Sequence, residues 1–82
     1  MSLSIPRDPS HYQLTIHAKQ RRRERDIPLD AIAATIEEGE VRRTHKSGSR
    51  LFVGDVAGRD EPLGVVADVT DGDIQTVCWR TS

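Results

Sequence analysis

The feature that most constrains this chain is a change of hydrophobic period at Gly39. Before it, Leu29, Ile32, Ala33 and Ile36 recur at helical spacing, with Asp30, Glu37 and Glu38 outside the stripe. After it, Leu63, Val65, Ala67 and Val69 alternate strictly, which puts all four on one face of a strand. Asp71-Gly72 follows as a tight-turn dipeptide. A chain of 82 residues has room for one core, and a domain this size buries only roughly 60–65% of the surface its unfolded chain exposes. Helices first and strands after, around a single core, predict an α+β fold.

The remaining elements fall around that switch. Residues 1–10, with Pro6 and Pro9, read as an extended N-terminal arm, and residues 11–82 as one α+β domain. Tyr12-Gln13-Leu14 is a short edge strand or a simple lead-in. Thr15 is a helix N-cap whose hydroxyl can accept a first-turn amide, opening a helix from Ile16 to about Arg25. The apolar stripe of that helix is thin, consisting of Ile16 and Ala18. Pro28 suits the first turn of the second helix, and Gly39 suits a left-handed C-terminal cap. Strands are expected over Val41–His45, Arg50–Val56, Leu63–Val69 and Asp73–Trp79, joined by short turns. The predicted fold is therefore two N-terminal helices packed on a three- to four-stranded antiparallel meander.

Charge is divided along the chain. Residues 1–50 carry ten Lys/Arg against seven Asp/Glu, and residues 51–82 carry two against six, for a net charge of −1. Arginine supplies ten of the twelve basic residues, and its planar fork suits phosphate or carboxylate pairing. Either a basic face binds phosphate or the two halves neutralise each other in the folded state.

The sharpest local pattern is His17-Ala18, Arg21, Arg25 and Ile27. On a helix, His17, Arg21 and Arg25 share one side, aligning an imidazole and two guanidinium groups. Arg42, Arg43, His45, Lys46 and Arg50 form a second basic group around one hairpin. That group is either an electrostatic footprint for nucleic acid or a strand edge guarded by charge. Phe52 and Trp79 are candidate stacking surfaces or core residues.

The order and spacing of His17-Ala18, Arg21, Arg25 and Ile27, followed by a short amphipathic helix and strands ending near Thr76, resemble the family catalogued as domain of unknown function 4258. The resemblance covers roughly residues 14–79. Lys19 and Arg22 depart from it, standing where members often carry apolar residues. The family is grouped with RelE/ParE-like toxin folds. The resemblance thus implies a RelE/ParE-like two-layer sandwich, an antiparallel sheet with helices on one side, and RNA-directed ancestry. Metal-independent RNA cleavage needs a base, cations for the phosphorane and an acid. On the implied scheme His17 is the base, Arg21, Arg25 and Arg50 bind phosphate, and Thr76 orients it; no general acid is evident. Arg42 and Arg43 extend the phosphate-binding set.

Each of these residues has a plainer role. His17 can lock the helix to the sheet through a carbonyl, and Arg21 and Arg25 can pair with Asp55 or Asp68 to do the same. Val53, Val66 and Val77 suggest a sheet face that contacts a protein partner or a second copy of the chain. RNA, a protein partner and a homodimer are therefore the partner classes carried forward. No cofactor is implied, and His11, His17, His45 and Cys78 lack metal-ligand spacing. One cysteine forbids an intrachain disulfide and fits a reducing compartment. With no apolar run of membrane-spanning length and no secretory signal at the start, the expected location is cytoplasmic.

Overall fold

The computed structural model describes residues 5–80. In chain order it contains β1 (Gln13–Leu14), α1 (Ile16–Glu24), α2 (Leu29–Glu38), β2 (Glu40–Arg43), β3 (Ser49–Gly54), β4 (Leu63–Asp68) and β5 (Asp73–Trp79). The five strands form one sheet in the order β1-β5-β4-β3-β2. β1 runs parallel to β5, while the other neighbours are antiparallel.

The expected arrangement, two helices ahead of a three- to four-stranded antiparallel meander in a RelE/ParE-like two-layer sandwich, is therefore not what forms. The sheet is five-stranded and mixed, and both helices lie between its first and second strands. The physical cause is local. The short edge strand allowed for Tyr12-Gln13-Leu14 does form, as β1, but its two residues are too few for alternation to reveal which strand it joins. It docks because the edge of β5 offers two free carbonyls: the Gln13 amide donates to Gly72 O at 2.7 Å and the Thr15 amide to Ile74 O at 3.2 Å. Gly72 has φ 78°, and a Cβ there would overlap the His11 carbonyl oxygen. A side chain at this turn would push the incoming segment off the edge.

α2 lies across β3 and β4, and α1 lies along β5. The strand alternation holds as read: Leu63, Val65 and Ala67 are fully buried and Val69 nearly so. They pack with Phe52, Ile74 and Val77 from the neighbouring strands and with Ile32 and Ile36 from α2. Burying side chains of this size contributes about 1.5–3 kcal/mol each. Val77 thus belongs to the core, not to an outer sheet face with Val53 and Val66. A register shift between Val66 and Ala67 leaves Gln75 without a strand partner, and its Oε1 accepts a 3.3 Å hydrogen bond from buried Ser49 Oγ.

The two helices end in opposite ways. Gly39 was expected to be left-handed, yet its φ is −69°. It is small because a Cβ there would overlap Thr35 O and lie 2.8 Å from Val53 O, so the requirement is close approach of backbones. The left-handed residue is Asp26, with φ 53°, after α1. There the Ile27 amide reaches Arg22 O at 3.0 Å and the Asp26 amide reaches Arg23 O at 3.4 Å, a Schellman-type stop.

Residues 5–12 cross the core on the helix side. Arg7 donates from Nε to Ile36 O at 2.7 Å and from its terminal nitrogen to Gly39 O, satisfying carbonyls at the α2 C-terminus. The Tyr12 hydroxyl donates to Pro6 O at 2.7 Å, and burial raises its pKa above the ordinary tyrosine value, with Arg7 acting weakly the other way. Asp8 caps the short 3-10 turn at Pro9–His11, and its hydrogen bond from the Ser10 amide holds its carboxyl below the usual range.

Candidate functional site

Thr15 caps α1 as its sequence predicts, accepting from the Ala18 amide at 3.2 Å while its hydroxyl proton goes to Ile74 O at 2.8 Å. The charged side of α1 that follows is not one uniform surface. His17 is exposed, and Arg21 Nε approaches its Nε2 only at 3.5 Å, beyond an ordinary N–H···N bond. Arg21 is instead paired with Glu24 at 2.9 Å. Arg25 turns to the sheet, where Nη1 donates to Val77 O at 3.0 Å on the edge of β5 that the short β1 leaves uncovered. Trp79 Nε1 returns a bond to Arg25 O at 2.9 Å, and the Arg59 guanidinium stacks 3.9 Å from the Trp79 ring centroid. Arg25 thus clamps helix to sheet through a carbonyl. Asp55 and Asp68 take no part: Asp55 is exposed and Asp68 accepts the Thr70 and Asp71 amides.

The three residues assigned to cleavage do not share a recess. Thr76 is in register with Val66 and, through it, with Leu51. Arg50 precedes Leu51 on β3 and so projects from the opposite face of the sheet, two strands away from β5. His17 stands on α1 beyond the far side of β5. An imidazole, a guanidinium and a hydroxyl in these three places cannot contact one phosphate.

The hairpin joining β2 to β3 is where basic groups do converge. Arg43 and Arg50 are direct cross-strand partners, and like charges in that position repel. With Thr44, His45, Lys46 and Ser47 they line an open recess of about 260 Å³. Arg50 Nη1 donates to Ser47 O and Ser49 O, both at 2.8 Å, which braces the turn and leaves Nε and Nη2 available. The ion pairs among the described residues are Arg21–Glu24, Arg42–Glu40 and Arg59–Glu61. None neutralises Arg43, Lys46 or Arg50. Arg42, adjacent to Arg43 and therefore on the other face, is spent on Glu40 at 3.0 Å.

Neither aromatic candidate is open to a base, since Phe52 is fully buried and Trp79 is covered by Arg59. Among the described residues no group of three or more His, Cys, Asp or Glu is placed to hold a metal ion, and no helix is long and apolar enough to cross a membrane. Two residues read from the sequence as part of apolar stripes are instead solvent-facing: Ile16 is 85% and Leu29 53% exposed. No protein-family model, curated protein or solved structure matches this chain.

Proposed function

We propose that the protein binds RNA through the phosphate backbone, using the β2–β3 hairpin. The observation that carries this is the Arg43–Arg50 cross-strand pair, two cations held opposite each other with Lys46 beside them and no carboxylate between. Such a pair costs stability unless an anion occupies the space it flanks. A phosphodiester supplies the charge and the acceptors for the free arginine nitrogens. With no exposed aromatic platform for stacking, recognition rests on phosphate and is tolerant of base sequence.

The proposal stops at binding. His17, Arg50 and Thr76 occupy separate surfaces, and no cleavage step is assigned to them.

Fluorescence anisotropy with a labelled oligouridine tests it. Affinity should fall with salt at a log–log slope of about −2, since each phosphate contact on a single strand contributes about −0.7 and three permanent cations line the recess. Arg43→Ala and Arg50→Ala should each weaken binding several-fold and flatten the slope by about 0.7, whereas Arg42→Ala should do little. Absence of saturable binding at low salt, or variants indistinguishable from the parent, would remove the hairpin as an RNA site.

A further inference from the structure

A second surface, distant in sequence from the hairpin, has a different character. A groove of about 700 Å³ at α1 and the start of α2 is lined by the apolar Leu14, Ile16 and Leu29 together with the basic Lys19, Arg22 and Arg23. A smaller apolar recess of about 210 Å³ continues from it along α2, sharing Leu14 and Leu29 and adding Ile32 and Ala33. Ile16 and Leu29 are the large apolar side chains left exposed among the described residues, and both belong to this groove. Two scattered exposed aliphatics are ordinary on a small domain; two at the mouth of one groove, contiguous with a second apolar recess, mark a docking surface.

The charges on the rim define the occupant. Lys19, Arg22 and Arg23 form none of the ion pairs among the described residues, and Glu24, which also touches the groove, is already neutralised by Arg21. Arg22 adds an independent sign of incompleteness, because its Nε is buried without a hydrogen-bond partner. A buried guanidinium N–H left unpaired is costly, and a carboxylate entering the groove would neutralise that side chain.

A second copy of the chain does not fit. A two-fold contact would bring the Lys19, Arg22 and Arg23 sets of both copies into one seam, with Glu24, the one carboxylate lining the groove, already paired to Arg21. A head-to-tail contact would need large apolar anchors from another surface, and none is exposed elsewhere among the described residues.

We infer that the α1–α2 groove docks an amphipathic segment of a partner protein, apolar on one side and carrying carboxylates that meet Lys19, Arg22 and Arg23. The mode is that of a helix laid into a groove, with aliphatic anchors spaced by three and four residues against Ile16 and Leu29 and acidic residues along the rim. This site is separate from the β2–β3 hairpin, and the protein can hold RNA and such a partner at once.

The test uses the full chain and a synthetic helical peptide of about 16 residues, leucines on one face and glutamates on the other. A matched peptide carries lysines in place of glutamates. The acidic peptide should bind at least tenfold more tightly, with affinity declining as salt is added. Ile16→Ser and Leu29→Ser should each weaken it about tenfold, as expected for anchor residues. Because both side chains are largely exposed, the thermal midpoint should stay close to that of the parent, which separates lost docking from lost folding. Arg22→Gln should weaken binding and reduce its salt dependence, while Arg43→Ala in the hairpin should leave it unchanged. Equal binding of the lysine peptide, or full affinity in Ile16→Ser, overturns the proposal. So does a dimer in light scattering that Ile16→Ser disperses, which would make the occupant a second copy. Capture by anionic vesicles that Ile16→Ser abolishes, without any binding of the acidic peptide, would assign the groove to a lipid surface and overturn it equally.

Discussion

The two helices sit side by side on one sheet, yet they are held by different forces. α2 buries Ala31, Ile32, Thr35 and Ile36 and depends on apolar contact with β3 and β4. α1 buries Ala18 alone. Its position comes from polar ties at its two ends: Thr15 to Ile74 O at the start, and Arg25 to Val77 O with Trp79 to Arg25 O at the finish. The contrast teaches that a helix with almost no hydrophobic stripe can still be fixed to a sheet when that sheet has a bare edge. β5 beyond Ile74 lacks a strand neighbour on the α1 side, and its carbonyl at Val77 needs a donor. The arginine-rich end of α1 supplies it.

The strongest way to break the contrast is to truncate an α2 anchor. Ile36 is 1% exposed, and Ile36→Ala should cost about 2–5 kcal/mol by transfer and cavity terms. Ile16→Ala on α1 should stay within about 0.5 kcal/mol, as surface changes do. Urea unfolding of both variants gives the comparison directly, and similar losses would mean that α1 is an apolar-packed helix after all. Next in size is Gly39→Ala. The glycine is not in a left-handed conformation, so the whole effect is steric, with the new Cβ pressed on Thr35 O and 2.8 Å from Val53 O. A destabilisation of about 1–3 kcal/mol is expected, typical of overpacking. A neutral result would show that α2 can lift from β3 without loss.

These two positions also show what could be read in advance. The stripe Leu29, Ile32, Ala33 and Ile36 located α2 because periodicity follows burial, and Gly39 marked its end. The reason for that glycine was invisible, because the oxygens it must clear lie on Thr35 and on Val53, fourteen residues downstream. The same limit hid the parallel pairing of β1, since two residues carry no period and the choice of edge depends on which carbonyls β5 leaves free. For the candidate sites, the basic run Arg42 to Arg50 was legible as a group. That Arg43 faces Arg50 while Arg42 turns away to Glu40 depends on strand register. Helical spacing placed His17, Arg21 and Arg25 along one line, but a line of Cβ positions does not say where long side chains end. Arg21 turns to Glu24 and Arg25 to the sheet.

A smaller effect probes the polar tie of α1 itself. Trp79→Phe keeps an aromatic ring but removes the pyrrole part of the indole with its Nε1 donor, leaving Arg25 O without its 2.9 Å partner. A cost of about 1 kcal/mol is expected from the lost hydrogen bond, a shift of about 4–8 °C in the midpoint for a domain of this size. Hydrogen exchange discriminates better than the midpoint. Amides of α1 should lose protection selectively while those of α2 keep theirs. Uniform loss across both helices would show that Trp79 acts through the common core, since it also packs against that core.

The smallest expected effect has the opposite sign. Asp26 ends α1 with φ 53°, in the conformation that a residue with a Cβ adopts at a steric cost, and its carboxylate sits at the negative end of the helix dipole. Glycine removes both penalties. It also enlarges the conformational freedom of the unfolded chain, which works against the gain. Asp26→Gly should therefore stabilise the protein only slightly, by about 0.5 kcal/mol, and the dipole share of that gain should shrink as salt is added. Asp26→Asn isolates the charge, because it keeps a side chain that tolerates the left-handed region. If the asparagine variant gains as much as the glycine variant, the electrostatic penalty dominates. If it gains nothing, backbone strain does. A clear loss in both would mean that the Asp26 side chain supports the Schellman stop, making α1 dependent on polar ties at its C-terminus beyond those from Arg25 and Trp79.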